Sequence, residues 1–268
     1  MAKPTETYHD IQLVAPTTIS LPINGPEPER PTPALIEKLQ GVSSATASAM
    51  LHRIGIRQTF IDGPLPRTPG RKVVGPAITL QFMPQREDIA SGMGQERTEK
   101  TTALWSVFET VRPGDVLVIQ AWGDAYTGCM GEMLMTYFKG RGGIGVVVDG
   151  CVRDWPNIQQ IDVPLWTRGF TPNYASQGTL FPWAYNVPVA LSRVLVLPGD
   201  IIIADDDGAV MVPAQMAEIV AEHTRAHEEW EVFSRIKLEE GGALKKYYPL
   251  NEEGWAEYEA WREEQAAQ

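Results

Sequence analysis

The run Lys72–Phe82, KVVGPAITLQF, is β-branched and bounded by turn residues, which predicts a buried strand. Val116–Ile119 and Gly145–Gly150 read the same way. Between them the period changes. Leu104, Val107 and Phe108 are spaced to bury one face of a helix over 101–110, and Gly131–Tyr137 reads as another helix. Strand, helix and strand with short links predict a βαβ unit. Thr32-Pro33 opens a short earlier helix, and Ser43-Ser44-Ala45-Thr46 caps a second that ends before Gly55. Residues 84–100 are polar and predict a surface excursion. From Ile161 to Pro213 the pattern is mainly β, and from Ala214 onward it is helical and acidic.

One cassette occurs twice. Arg112-Pro113-Gly114-Asp115 feeds the strand Val116–Ile119, and Leu197-Pro198-Gly199-Asp200 feeds Ile201–Ala204. A Pro-Gly turn whose Asp caps its own backbone predicts two equivalent strand entrances in one sheet system. Residues 1–33 are rich in Pro, Thr and Glu and predict an extended arm. Trp230, Trp255 and Trp261 would be costly if exposed, so the tail is expected to pack on the core or on another subunit. The expected organisation is an arm over 1–33, one α/β domain over 34–215 and a helical extension over 216–268.

Composition narrows the function. The 268 residues carry 23 Lys+Arg against 34 Asp+Glu, a net charge of −11, which disfavours a nucleic-acid binder. Two cysteines, Cys129 and Cys151, are too few for a disulfide framework and point to reducing cytosol. No apolar run reaches the roughly 18 residues of a membrane span, and the start lacks the apolar core of a signal peptide. The expectation is a cytoplasmic protein with neither membrane nor nucleic acid as partner.

The densest chemistry lies in Gly128-Cys129-Met130-Gly131-Glu132-Met133-Leu134 and Val148-Asp149-Gly150-Cys151-Val152-Arg153-Asp154. Glu132 opens a helix whose first amides lack intrahelical partners, a ready cradle for a carboxylate or phosphate. The glycines beside it allow a ligand close to the backbone. Arg153 and Asp154 follow a strand end, where open α/β sheets place ligands. The guanidinium offers a planar fork for a carboxylate, and the Asp offers oxygen to a hard cation. A capping Glu and a surface Arg–Asp pair would explain the same residues without a function.

Other candidates are weaker. His223 and His227 stand four apart without a third metal ligand. Asp205-Asp206-Asp207-Gly208 lacks the later oxygen ligands of a calcium loop and reads as a β-turn. The lysines sit at element ends or in polar helix, which disfavours Schiff-base chemistry. Both cysteines read as packing residues, and no phosphate loop or dinucleotide fingerprint appears.

Gly128-x-x-x-Glu132, then twenty residues, then Arg153-Asp154 resembles the RraA-like family, which contains class II 4-hydroxy-4-methyl-2-oxoglutarate / 4-carboxy-4-hydroxy-2-oxoadipate aldolases and the regulator of ribonuclease E activity. The likeness extends through Val74–Thr79, Arg112–Val118, Pro164 to Arg168-Gly169, and Pro198-Gly199-Asp200 to Val212-Pro213, covering about residues 40–215. It implies a swivelling β/β/α-type α/β domain assembled as a homotrimer or dimer of trimers. It also implies that Asp154 ligates Mg²⁺ or Mn²⁺ and that Arg153 clamps a pyruvate unit. The amides of Gly131, Glu132, Met133 and Leu134 would bind its carboxylate, and Glu132 would hold a metal-bound water. The activity implied is a metal-dependent pyruvate aldolase acting on a 4-hydroxy-2-oxo acid, with oxaloacetate decarboxylation as a side reaction. The alternative is a non-catalytic regulator of a ribonuclease or another protein. Glu96, Arg97, Glu99, Trp122, Tyr126 and Arg168 are candidates for the distal pocket wall. The proline-rich arm and the Trp-bearing tail exceed the short family pattern, and Ser48 stands where many short members carry Asp.

Overall fold

Twelve strands and ten α-helices make up the chain over residues 20–90 and 95–266, which the computed structural model describes. In order they are β1 (Ile23–Asn24), α1 (Pro33–Leu39), α2 (Ser44–Arg53), β2 (Phe60–Ile61), β3 (Leu65–Pro66) and β4 (Val73–Pro84). Next come α3 (Glu87–Ala90), α4 (Gln95–Thr101), α5 (Ala103–Thr110), β5 (Val116–Gly128), α6 (Glu132–Gly140), β6 (Gly145–Val152) and α7 (Trp155–Ile158). The last are β7 (Leu165–Phe170), β8 (Leu180–Tyr185), β9 (Val189–Leu191), β10 (Val194–Val196), β11 (Ile201–Asp205), β12 (Gly208–Val212), α8 (Ala217–Glu239), α9 (Leu244–Tyr247) and α10 (Glu252–Ala266).

The central sheet is mixed and runs β2-β12-β11-β4-β5-β6-β7-β3, with β8 on β4 and β1 on β8. Its axis is the buried β4, which pairs antiparallel with β11 near its start, parallel with β5 in the middle and antiparallel with β8 at its end. The expected βαβ unit is β5-α6-β6, with Val116 beside Gly145. The two Pro-Gly-Asp turns flank one residue of β4. Ala77 is in register with Val116, and it also exchanges backbone bonds with the second turn, Ala77 N to Asp200 O at 2.7 Å and Gly199 N to Ala77 O at 2.9 Å. Gly114 and Gly199 stand at φ 92° and 93°, the left-handed region that favours glycine. The entrances are therefore equivalent, but they open strands that run in opposite directions beside β4.

Helices α5 and α6 cover one face of the sheet, where Phe108 and Phe138 meet edge to face at 6.4 Å. Full burial of such a side chain contributes about 1.5–3 kcal/mol. The β9–β10 hairpin covers Trp166, Val118 and Val147 on the other face. Thr32 and Ser43 cap α1 and α2 as expected, and both helices pack with the start of α8 against β11 and β12. The polar stretch 84–100 is not a plain excursion, since its described parts contain α3 and α4. Glu87 and Asp88 lie in the first turn of α3, where negative charge favours a helix.

The tail divides its burial. Ala217, Val220 and Ala221 of α8 join the core, whereas Trp230, Phe233, Tyr247, Tyr258 and Trp261 form a separate aromatic cluster with α9 and α10. Trp255 is exposed. Of the predicted arm, residues 1–19 lie outside the described residues. Beyond them, β1 pairs with β8, and Arg30 reaches Asp115. Among the described residues no helix is long and apolar enough to cross a membrane.

Candidate active site

The C-terminal ends of β5 and β6 hold the sequence-predicted residues together. Cys129 N donates to Cys151 O at 2.9 Å, and Arg153 N donates to Met130 O at 3.0 Å, which stitches the link before α6 to the end of β6. Asp154 then turns the chain with φ 60° and ψ 32°, a left-handed conformation that Asp tolerates better than most residues. Its carbonyl accepts from Asn157 N and Ile158 N, starting α7.

Arg153 Nε donates to Asp154 Oδ2 at 3.0 Å, and Glu132 N donates to the same oxygen at 3.4 Å. Asp154 thus takes the first orphan amide of α6. The amides of Met133 and Leu134 also belong to that first turn and have no intrahelical acceptor. The Glu132 carboxylate accepts from Asn157 Nδ2 at 2.7 Å through Oε2. The Arg153 guanidinium stands 5.9 Å from the centre of the Tyr174 ring, within cation–π range. Both side chains of the pair remain about one-third exposed, and they line a cavity of about 270 Å³ with Gly131, Met133, Trp105 and Tyr174.

The glycines also serve close approaches within the protein. A Cβ on Gly131 would lie 2.5 Å from Asp154 Oδ2 and 3.1 Å from Arg153 Nε, and one on Gly128 would lie 2.2 Å from Asn173 O. They make room for the protein's own Arg153, Asp154 and Asn173 to approach the backbone. Asn157, Tyr174 and Trp105 join the site without a sequence signal, unlike Glu132 and Arg153-Asp154. Arg168 does not line this cavity. It bonds Asp149, Ser192 Oγ and Asp62 O, because β7 directs it to another part of the sheet end. Trp122 donates its indole N–H to Phe82 O, and Tyr126 also lies outside the cavity lining. Glu99 lines the cavity, Arg97 does not, and the side chain of Glu96 lies outside the described residues.

The weaker candidates resolve simply. His227 pairs with Glu231 and packs on Trp230. Asp206 and Asp207 form the turn between β11 and β12. Both cysteines are buried and free, and burial pushes the Cys129 and Cys151 thiols up, which suppresses the thiolate. Lys72 is lowered chiefly by burial, yet its ammonium donates to Gln40 O away from this cavity. A larger cavity, about 710 Å³, lies at the opposite end of β5. There Arg112 pairs with Glu27, and Arg141 caps the carbonyls of Glu109 and Val111, so its cations already have partners.

Among the described residues no cluster of three His, Cys, Asp or Glu side chains could hold a metal. Asp154 Oδ1 has no protein donor among the described residues. That donor set fits only a hard cation that keeps most of its waters, as Mg²⁺ does.

A mixed α/β domain that sets an acid-led helix against a strand-end Arg-Asp pair defines the class. The chain belongs to the RraA-like family, whose Aldolase/RraA model matches residues 32–211. It is 55% identical to Streptomyces coelicolor RraAS2, described as an unusual member of the RNase ES inhibitor RraA protein family. That match covers 77% of this chain and 98% of the other, with a TM-score of 0.71. A Halalkalibacterium halodurans protein named "Putative 4-hydroxy-4-methyl-2-oxoglutarate aldolase" is 29% identical over 195 residues, 73% of this chain and 78% of that one. An uncharacterized Pseudomonas syringae protein shares the fold at 24% identity and a TM-score of 0.68, over 82% of this chain and 98% of its own.

Proposed function

We propose that the protein is a divalent-metal-dependent pyruvate aldolase, a carbon–carbon lyase that cleaves a 4-hydroxy-2-oxo acid to pyruvate and a second carbonyl compound. Oxaloacetate decarboxylation is the expected side reaction, since it passes through the same enolate. One observation carries this reading. Arg153 and Asp154 are tied to each other and to the first turn of α6, yet the terminal guanidinium nitrogens and Asp154 Oδ1 have no protein hydrogen-bond partner among the described residues. The family and the name of the Halalkalibacterium relative support the lyase class.

In the cleavage the C3–C4 bond breaks and its electron pair moves into the C2 carbonyl. The 4-hydroxyl loses a proton, and C3 gains one. The open fork of Arg153 grips the carboxylate and C2 oxygen of the pyruvate half, and its hold strengthens as charge collects on that oxygen. The Met133 and Leu134 amides receive the carboxylate. Asp154 would hold Mg²⁺ or Mn²⁺, and such an ion, when bound, would supply Lewis-acid polarisation of the keto oxygen. Glu132, oriented by Asn157, takes the 4-hydroxyl proton by way of water.

The test is exchange of the C3 protons of pyruvate for deuterium, followed by NMR. Exchange should appear with Mg²⁺ or Mn²⁺, stop with EDTA and return with added metal. Full exchange in chelator would refute the metal role, and no exchange under any condition would sink the aldolase. A second reading, a regulator that binds a ribonuclease, draws on the 55% identity to RraAS2. It predicts a stoichiometric complex with the ribonuclease and no turnover of any oxo acid. The aldolase reading also includes a cytoplasmic homotrimer or dimer of trimers, as the family resemblance implies. A monomer in light scattering would overturn that assembly.

A further inference from the structure

We infer that the distal half of the substrate is uncharged and apolar, with an aromatic ring as its best-fitting form; this rests on the aldolase reading above. The site cavity adjoins a second one, about 250 Å³, that lies between α5 and α6 and shares Trp105, Met133 and Leu134 with it. Phe108, Tyr137 and Glu109 complete the second lining. Met133 and Tyr137 stand four apart on α6, so they occupy one helix face, and both are exposed. The residues whose amides receive the pyruvate carboxylate are therefore the ones whose side chains wall the next cavity. A short acid held at its carboxyl end has its C4 substituent within reach of that wall.

Charge decides the chemistry of that substituent. Apart from Arg153 and Asp154, the charged residues lining the two cavities, among the described residues, are Glu99 and Glu109. Beyond Arg153, a distal carboxylate would find no cation among the described lining residues and would meet the like charge of Glu109, which is repulsive at any effective dielectric. Lys100 stands over the Trp105 ring at 5.7 Å but lines neither cavity. An aryl group gains instead from burial and from edge or stacked contact with Trp105 and Tyr137. The products are then pyruvate and an aromatic aldehyde or ketone.

The experiment uses the full chain with Mg²⁺ and two substrates sharing one pyruvate half, 4-hydroxy-2-oxo-4-phenylbutanoate and 4-hydroxy-4-methyl-2-oxoglutarate. Pyruvate release should favour the phenyl compound by at least about tenfold in kcat/KM, the range of a hydrophobic-pocket preference. Tyr137→Lys, which touches only the second cavity, should reverse or erase that preference, read as the ratio of the two kcat/KM values. Normal exchange with equal or better use of the dicarboxylate would overturn this inference and leave the aldolase standing. Absent exchange in the wild type would overturn both. If Tyr137→Lys kept the preference but dissociated the assembly in sedimentation, the face would belong to a subunit contact, and the inference would fail.

Discussion

Arg30–Asp115 and Arg153–Asp154 are the same pair of side chains joined through Nε at nearly the same distance, 2.8 and 3.0 Å, in opposite surroundings. Asp115 is wholly buried. Its two oxygens take Arg30 Nε and Nη2, and Oδ2 also accepts the Arg112 amide. Arg30 spends its remaining donors on Glu27 and on backbone carbonyls. Asp115 raises the Arg30 guanidinium above its ordinary value, so the cation is fixed there. Arg153–Asp154 is half-open, with one oxygen and most of the guanidinium left for something else. Arg168–Asp149 belongs with the first kind, because Ser192 and Asp62 occupy the guanidinium and Ser192 N donates to Asp149. A strut and a site differ in what their charges still have to bond.

Removing one member of each pair breaks the comparison most sharply. Arg30→Ala leaves a buried carboxylate without its cation, and loss of one partner of such a pair costs about 3–5 kcal/mol. Urea unfolding should show that loss, while the folded variant keeps its activity; a change under about 1 kcal/mol would put Arg30 among ordinary surface pairs. Arg153→Ala should do the reverse. Losing an oxyanion donor costs about 2.7–4 kcal/mol in transition-state stabilisation, or about 10²–10³ in rate. Unfolding should be nearly unchanged, because the pair is solvent-facing. Normal turnover in that variant would make Arg153–Asp154 a strut as well.

Much of this was legible in the chain, because local rules govern it. The caps at Thr32 and Ser43, the β-branched runs and the doubled Pro-Gly-Asp turn are local signals, and each produced its element. Glu132 with Arg153-Asp154 was legible as a spacing, and the βαβ unit brought those ends together. Tyr174 and Trp105 were not, because they reach the cavity from segments more than ten residues outside that motif. Asn157 was closer but silent, since its contact with Glu132 depends on the left-handed turn at Asp154. Arg168 shows the converse error. Named as a candidate for the distal pocket wall, it lies within β7 and is held by Asp149, which gave no sequence sign of being its partner.

Gly131→Ala probes the open pair without touching a charge. The backbone there has φ −130°, which any residue adopts, so the added methyl presses only on the Asp154 oxygen and the Arg153 side chain. Both can swing away, and stability should change by less than about 1 kcal/mol. The catalytic geometry should suffer more. A displacement near 1 Å costs as much as 10²-fold, and a loss of at least about tenfold in kcat/KM is expected. A fully active variant would show that Asp154 has no fixed role.

The smallest effect belongs to the sister turn, where the carboxylate has no cation among the described residues. Asp200 accepts the Leu197 amide at 2.8 Å, as Asp115 accepts that of Arg112, but its other oxygen takes the Ala214 amide. Burial pushes the Asp200 carboxyl up, against the pull of those two amides. The folded protein therefore holds this proton more readily than the unfolded chain does. Asp200 adds stability as pH falls through its raised value, and that gain is complete below the ordinary carboxylate value. Asp200→Asn removes the buried charge at neutral pH but leaves one amide without an acceptor, so the two effects should nearly offset, within about 1 kcal/mol. Unfolding of both proteins from pH 7 downward should show the wild type gaining on the variant. Were the variant to gain instead, Asp200 would be held charged as firmly as a carboxylate beside an arginine, and the contrast between the two turns would vanish.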